Sequence, residues 1–560
     1  MAVVSTSLLS SIPTVAPNAK VAPLCRAAPG SKVAPVSKIA RVARVAPIAR
    51  FAPIARFVPE ARFSPVASVK VESNKTSELV LPLSRKSFPD KFVFGAATAA
   101  YQIEGGIDSR GRSAWDEFTH TYPEKITDRS NADVACDSYN LYMEDVALLT
   151  DMGFDAYRFS ISWSRILPTG KLKDGINQRG VDYYNDLLDA LIANGKTPYV
   201  TLYHVDRPQP LEEEYGGFLD SRMVDDFKDF CDVCFEKFGD KVKHWMTLNE
   251  PYTYVDLCYS QGLMAPARCS CWQNLKCLGG DSSTEPYIVG HNLLLAHAAA
   301  VDLYSTKYKA RQNGQIGIVL NSHWFEPMSD KEKDKKAAGR AMDFMLGWFQ
   351  EPLVTGQYPE SMQELVGARL PKFTEEESKK LKGSYDFIGI NYYMSQYVSD
   401  MPEAVITTPP CKLTDARVEY SNVNICTGVP IGDDTASGMY CRPRGLQNLL
   451  NYMKNKYNDP AIYIAENGMA DFNFPSLSTE EACMDIRRVD YYFRHLYHVL
   501  SAIEVDKVNL KGYFAWSLLD NFEWSEGYTL RFGLNFVDYN TLERHPKYSA
   551  KWFKNFLSKK

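Results

Sequence analysis

The chain has 560 residues, a hydrophobic fraction of 45% and a formal net charge of −5. That apolar content is ample for a packed core, and the charge balance gives no reason to expect nucleic acid or an anionic membrane as a partner. No uninterrupted apolar run reaches the roughly 18 residues that a transmembrane helix needs. Length alone would suggest about three or four domains, but an α/β barrel of this size forms one. Aromatic residues make up 12%; rings suit stacking on flat ligand faces, although most are expected in the core.

The chain opens with a segment unlike the rest. Residues 1–80 are rich in Ala, Val, Pro and Ser, carry recurrent Arg and Lys, and contain no acid before Glu60. Ala46-Pro47-Ile48-Ala49-Arg50-Phe51 is echoed at Ala52-Pro53-Ile54-Ala55-Arg56-Phe57. Frequent Pro forbids a continuous helix, and basic, Ser-rich, acid-poor N-termini are the mark of organelle transit peptides. The expectation is a disordered plastid transit peptide over 1–80 and one folded domain over 81–560. The sequon at Asn74 would have no consequence in a plastid.

From about Phe88 short β-rich runs alternate with longer amphipathic stretches. The runs begin at Phe92, Ala156, Thr197, His244, Ile316, Phe387, Ala461 and Leu510. Between them lie helix-like segments such as VDYYNDLLDALIANG and FKDFCDVCFEKFG. Alternating β and α units of this number predict an α/β fold, a single parallel (β/α)8 TIM barrel with long βα loops. A doubly wound open sheet would need a Gly-rich phosphate turn, and GGIDSRGRS lacks the spacing.

The twelve cysteines are spread along the chain, which excludes a disulfide-stapled scaffold. Cys231 and Cys234 form a C-x-x-C pair, but apolar residues recur around them at helical spacing, so they are expected in the core. Cys269, Cys271 and Cys277 share a short loop that can carry one bridge. Cys269 with Cys277 is a candidate pair; which loop cysteine joins Cys277 stays open. No His accompanies them, so no metal site is expected. No cofactor motif occurs either.

Chemically able residues fall at the C-terminal ends of the runs: His204, Asn249 with Glu250, Asn391 with Tyr393, Glu466, and Glu523 with Trp524. In a barrel these ends converge on one face, where barrel active sites lie. Glu250 and Glu466, at the ends of the fourth and seventh runs, would face each other across the mouth. A charge beside apolar strands is costly without a purpose, and paired carboxylates are what glycoside hydrolysis requires.

TLNEP (Thr247–Pro251) and IAENG (Ile464–Gly468) resemble the paired signatures of glycoside hydrolase family 1. AYQIEGG (Ala100–Gly106), YRFSISWSRILPTG (Tyr157–Gly170), INYY (Ile390–Tyr393) and FAWSLLDNFEW (Phe514–Trp524) extend the resemblance in unbroken order. The plant β-glucosidases are the most similar branch. The resemblance implies a retaining β-glucosidase in which Glu250 is the acid/base and Glu466 the nucleophile. Related thioglucosidases usually carry Gln at the position of Glu250, so Glu points to O-glycosides. Arg158 and Tyr393 resemble the residues that contact the nucleophile. Gln102, His204, Asn249, Tyr393, Glu523 and Trp524 resemble the ring around glucose, and Trp516 the platform beneath it.

The sequence departs from the family pattern in places. His204-Val205-Asp206 stands where H-W-D is usual, and Ala465 replaces the Thr of T-E-N-G. In SGMYCRPRGL, Gly438 falls at or near a position where plant relatives commonly carry Trp, and Leu257, Met264 and Ser525 stand where bulkier rings are often found. Trimmed side chains imply a wide mouth and a large, rigid aglycone. The leader joined to this core is similar to plastid glucosidases that activate saponins, of the avenacosidase and furostanol glycoside 26-O-β-glucosidase type. The expected substrate is therefore a furostanol steroidal saponin bearing a 26-O-glucose. A transglucosidase on the same scaffold, or a hydrolase of another defence or hormone glucoside, shares every motif; a non-catalytic binding protein would not need both carboxylates. A small-molecule glycoside is the expected partner, and a homo-oligomer the expected assembly.

Overall fold

The computed structural model describes residues 83–558 apart from positions 275, 404, 405, 407 and 437. The leader expected over 1–80, with the Asn74 sequon, lies outside the described residues.

Eight strands close into a parallel barrel: β1 (Val93–Ala97), β2 (Ala156–Ser160), β3 (Thr197–Tyr203), β4 (His244–Asn249), β5 (Gln315–Asn321), β6 (Phe387–Asn391), β7 (Ile462–Asn467) and β8 (Leu510–Trp516). Each pairs with its neighbours in sequence, and β8 returns to β1 through pairs such as Gly95 with Phe514. All eight expected runs are present, each starting within one residue of its anticipated position. Several end sooner, because turns toward the loops begin as soon as the barrel rim is reached; β2 stops at Ser160, and Trp163–Ile166 is already helical.

Two apolar clusters follow from the two faces of these strands. Tyr199, Met246, Val319, Phe387, Tyr463 and Phe514 point inward and fill the barrel. Ring centroids lie 4.9 Å apart for Tyr199 and Phe514 and 5.1 Å apart for Phe387 and Tyr463. Residues on the opposite faces pack against an outer layer of helices, as buried parallel strands require. Helices α1 (Gln178–Ala193), α2 (Arg222–Phe238), α3 (Glu285–Leu303), α4 (Pro443–Lys456) and α5 (Ile486–Glu504) belong to that layer. In α2 the buried face runs Met223, Phe227, Phe230, Cys231, Cys234, Phe235 and Phe238, a helical repeat that places Cys231 and Cys234 in the core. A small three-stranded sheet (Trp324–Pro327, Ser395–Asp400, Val418–Ser421) was not foreseen; it joins the loops after β5 and β6. Among the described residues no helix is long and apolar enough to cross a membrane.

Candidate active site

The two carboxylates leave their strands where the ladder is irregular. The register of β4 against β5 shifts between Met246 and Asn249, and that of β7 against β6 shifts between Ile464 and Glu466. Such shifts re-aim side chains at a barrel rim. Glu250 then sits at φ +47°, and Val205 and Trp524 at the ends of neighbouring segments have φ +68° and +51°. Left-handed backbone at non-glycine residues costs about 1–3 kcal/mol each and clusters at functional sites. Gly468 has a different reason to be glycine: a Cβ there would collide with the carbonyl oxygen of Trp516.

Away from the two carboxylates, the motifs are pinned from behind. Thr247 of TLNEP bonds His297 of α3 at 2.7 Å. Asn467 of IAENG donates to the Tyr392 carbonyl at 2.6 Å and accepts from the Tyr513 hydroxyl at 2.7 Å. These contacts fix the exits of β4 and β7, and so the directions of both carboxylates.

Glu250 and Glu466 are both fully buried, in contrasting surroundings. Arg158 Nη1 donates to Glu466 Oε1 at 2.7 Å, and the Tyr393 hydroxyl donates to Oε2 at 2.7 Å. Burial raises the Glu466 carboxyl, while the charge of Arg158 acts in the opposite direction and helps to hold the group below the usual carboxylate range. Glu250 accepts from Asn391 Nδ2 at 2.8 Å and from Thr253 Oγ1 at 2.6 Å. Burial raises the Glu250 pKa, the charge of Glu466 raises it further, and the two hydrogen bonds oppose the rise.

Asn249 links the two halves. Its Oδ1 accepts from Arg158 Nη2 at 2.6 Å and from Asn391 Nδ2 at 3.2 Å. With Oδ1 facing donors, Nδ2 must be the atom that donates to His204 Nε2 at 3.1 Å. Burial lowers the His204 pKa far below the usual imidazole value, so the ring is neutral and its hydrogen lies on Nδ1. The ring is roughly parallel to both Trp516 and Trp524, at 5.9 and 6.1 Å between centroids. Gln102 Nε2 donates to Asn521 Oδ1 at 2.8 Å, to the Phe522 carbonyl at 2.9 Å and to Glu523 Oε2 at 3.3 Å. Burial pushes the Glu523 carboxyl up to about 8, and the charge of Glu466 adds to the rise.

Among the described residues Gln102 Oε1, His204 Nδ1, Trp516 Nε1 and Trp524 Nε1 are buried polar atoms without a hydrogen-bond partner. Leaving each unpaired costs about 1–3 kcal/mol. Donors and acceptors of this kind, interleaved with indole faces, match a ligand that presents hydroxyls around a ring with an apolar face. No grouping of three or more His, Cys, Asp or Glu able to hold a metal ion occurs among the described residues.

Residues 84–560 match the family model described as glycosyl hydrolase family 1. The chain belongs to that family. It is 54% identical over 482 residues to β-glucosidase 12 of Oryza sativa subsp. indica, covering 85% of this chain and 94% of the relative. It is 55% identical over 489 residues to an isoflavonoid 7-O-β-apiosyl-glucoside β-glycosidase of Dalbergia nigrescens, covering 87% and 88% of the two. A rice β-glucosidase, Os3BGlu6, solved as a mutant in a covalent complex with glucose, superposes with a TM-score of 0.83 at 51% identity, over 85% of this chain and 100% of that one. The chain is thus a plant-type family 1 β-glucosidase of the retaining class.

The positions expected to face the aglycone divide into two groups. Leu257 and Met264 are buried and Ser525 is half-buried. The Leu257 carbonyl accepts from the backbone N–H groups of Leu263 at 2.8 Å and Met264 at 3.2 Å, while Ser525 Oγ donates to the Leu263 carbonyl at 2.7 Å. These three positions therefore meet around Leu263. Gly438 lies apart and exposed, in a tight turn with φ +68° that its N–H closes onto the Thr435 carbonyl at 3.1 Å. Its neighbour Met439 packs in the cluster that holds Tyr393 and Trp516. The loop bridge joins Cys269 to Cys277 with Cα atoms 5.5 Å apart, and Cys271 is a free, exposed thiol.

Sequence reasoning missed Thr253 and Asn321 and gave Asn391 no role. Asn321 Nδ2 donates to Thr253 Oγ1 at 2.8 Å, and Thr253 in turn donates to Glu250. The only signals available were the place of Thr253 one helical turn after Glu250 and the place of Asn391 at a strand end.

Proposed function

We propose that Glu466 is the nucleophile and Glu250 the acid/base, and that the substrate is a plant glucoside with a bulky aglycone, specifically a furostanol steroidal saponin carrying a 26-O-glucose, met in the plastid. One observation carries the assignment of roles: the same barrel mouth holds one carboxyl beside a guanidinium and a phenol donor, and another whose pKa is raised. The first suits an ionised nucleophile, the second a proton donor.

In the first step a Glu466 oxygen bonds the anomeric carbon while the bond to the aglycone oxygen breaks, and that oxygen takes the proton of Glu250. In the second step the Glu250 carboxylate takes a proton from water, the water oxygen bonds the anomeric carbon, and Glu466 leaves as a carboxylate. Arg158 and Tyr393 orient Glu466 and stabilise its charge. His204 Nδ1, Gln102, Asn249 and Glu523 supply hydrogen bonds to the sugar hydroxyls. Trp516 and Trp524 offer its apolar face a surface, and such paired contacts discriminate between sugar epimers.

The aglycone reading rests on Gly438, exposed and without a side chain at or near the position where the resemblance places a Trp, and on Leu257, Met264 and Ser525 around Leu263, where it places bulkier rings. A relative named for an isoflavonoid glycoside supports a polycyclic aglycone. The plastid reading rests on the composition of residues 1–80. Purified enzyme assayed on a furostanol 26-O-glucoside, other plant glucosides and an aryl glucoside is expected to give its highest kcat/KM on the first; a clear preference for another aglycone overturns the saponin reading. A fusion of residues 1–80 to a fluorescent reporter is expected to enter plastids. Cytosolic or secreted fluorescence overturns that address, and secretion would expose Asn74 to glycosylation.

A further inference from the structure

A cavity of about 770 Å³ lies among the loops on the same barrel face as the two carboxylates. Three segments form it: the turn at Thr435–Ala436, the loop from Asp471 to Asp485 that follows β7, and the stretch from Arg531 to Lys547 that follows β8. It shares a wall with the sugar site, because Ala436 lines the cavity and also packs against the cluster that contains Met439, Tyr393 and Trp516.

Four of its charged lining residues, Asp471, Asp485, Arg531 and Lys547, are held in ion pairs. Arg531 and Lys547 each bond Asp520 at 2.7 Å. Arg488 bonds Asp471 at 2.6 Å and Asp485 at 2.7 Å. Asp434, Glu481, Asp538 and Arg487 also line the cavity and stand outside these pairs; carboxylates accept from hydroxyls and a guanidinium donates to them. The rim is apolar and exposed: Phe472 is 51%, Phe474 56% and Leu477 43% exposed, and the two Phe rings lie 5.6 Å apart. Asn540 stands among these apolar groups, whereas the side chains of Asn473 and Thr435 are engaged by Tyr528, Arg531 and Met439. A concave site of this volume that sets aromatic faces beside groups able to bond hydroxyls fits a ring with one apolar face and several hydroxyls, and a cluster of exposed rings calls for an occupant.

We propose that this cavity is a second carbohydrate subsite, which takes neutral sugar units carried by the aglycone at a position remote from the scissile glucose. The inference rests on the sugar-site reading above for its place in the reaction, but its ligand can be tested without it. Maltotriose, which offers no β-glucosyl bond for cleavage, would be titrated calorimetrically into the full-length enzyme with the sugar site saturated by a glucose-configured iminosugar. Saturable binding is expected, weakened about tenfold by Phe474→Ala, with hydrolysis of a plain aryl β-glucoside unchanged. Absent binding, or equal binding by the variant, overturns the subsite. If Phe474→Ala and Phe472→Ala instead lower the mass measured by light scattering, the rings are a contact between copies and the subsite is again overturned. Failure to cleave the aryl glucoside would count against the sugar-site reading alone.

Discussion

The proposed sugar-facing and aglycone-facing sides of the barrel mouth are built differently. Around Glu466 and Glu250, side chains from the ends of β2, β4, β6 and β7 form one continuous network, from Tyr393 through Glu466, Arg158, Asn249, Asn391 and Glu250 to Thr253. Each member has a strand or a helical turn behind it. On the other side Leu257, Met264 and Ser525 are held mainly through backbone contacts at Leu263, and Gly438 through a turn. A fixed reaction needs its groups held within fractions of an ångström. A variable aglycone needs only shape, which loops can change without disturbing the network.

The sharpest test of the network is its centre. Glu466→Gln removes the carboxylate proposed to bond the anomeric carbon, and activity should fall by about 10⁴-fold or more. A fluoroglucoside that traps the intermediate should label Glu466 in the parent enzyme; peptide mapping that places the label elsewhere refutes the assignment. Glu250→Gln should cost less and act selectively. Glucosides with poor leaving groups should lose about 10²- to 10⁴-fold, activated aryl glucosides far less, and azide should restore turnover by attacking the intermediate without help from a base. Equal losses for both substrate classes, with no rescue, would remove Glu250 from that role.

The same contrast explains how much was legible beforehand. Parallel strands buried on both faces read as continuous apolar runs, so all eight barrel strands could be placed from Phe92 to Leu510, and residues at their ends inherit a common face. Register shifts at Met246–Asn249 and Ile464–Glu466 leave no mark in the amino-acid pattern, and neither does the left-handed backbone of Glu250, Val205 and Trp524. Thr253 was invisible because its function comes from the helical turn that Pro251 begins, and Asn321 because its partner is distant in sequence. The small sheet over the β5 and β6 loops was hidden because its short strands lack any sustained alternation. On the loop side, one-sequence reasoning could name Gly438 and Ser525 as trimmed positions but not show that only the latter joins Leu257 and Met264.

Gly438 tests the looser side. Gly438→Trp should lower kcat/KM for steroidal glucosides about tenfold, since the new ring occupies space that a wide apolar nucleus needs, while small aryl glucosides are spared. The left-handed backbone complicates the substitution: any side chain at φ +68° costs about 1–2 kcal/mol. Gly438→Ala isolates that cost. Both variants should show similar reductions in Tm, and only the Trp variant should discriminate between the substrates. Parallel losses on steroidal and aryl glucosides would show that Gly438 does not border the aglycone.

The subtlest effect should come from Thr253, which joins Glu250 to the rest of the network. Its hydroxyl donates to Glu250 Oε2 at 2.6 Å and so stabilises the ionised carboxylate, opposing the rise that burial and the charge of Glu466 produce. Thr253→Val keeps the volume and removes the donor. The Glu250 pKa should then rise further, so that the protonated acid survives to higher pH. Because the alkaline limb of kcat/KM reports loss of that proton from the free enzyme, the limb should move to higher pH. The acid limb, set by Glu466 with Arg158 and Tyr393, should stay in place. The variant also leaves Asn321 Nδ2 without its acceptor at 2.8 Å, a cost of about 1–3 kcal/mol in stability that Tm would register separately. Thr253→Ser, which restores the donor, should return the alkaline limb to its original position even if Tm stays depressed. A limb that does not move in Thr253→Val, or moves to lower pH, would show that Thr253 does not tune the acid and merely packs beneath it.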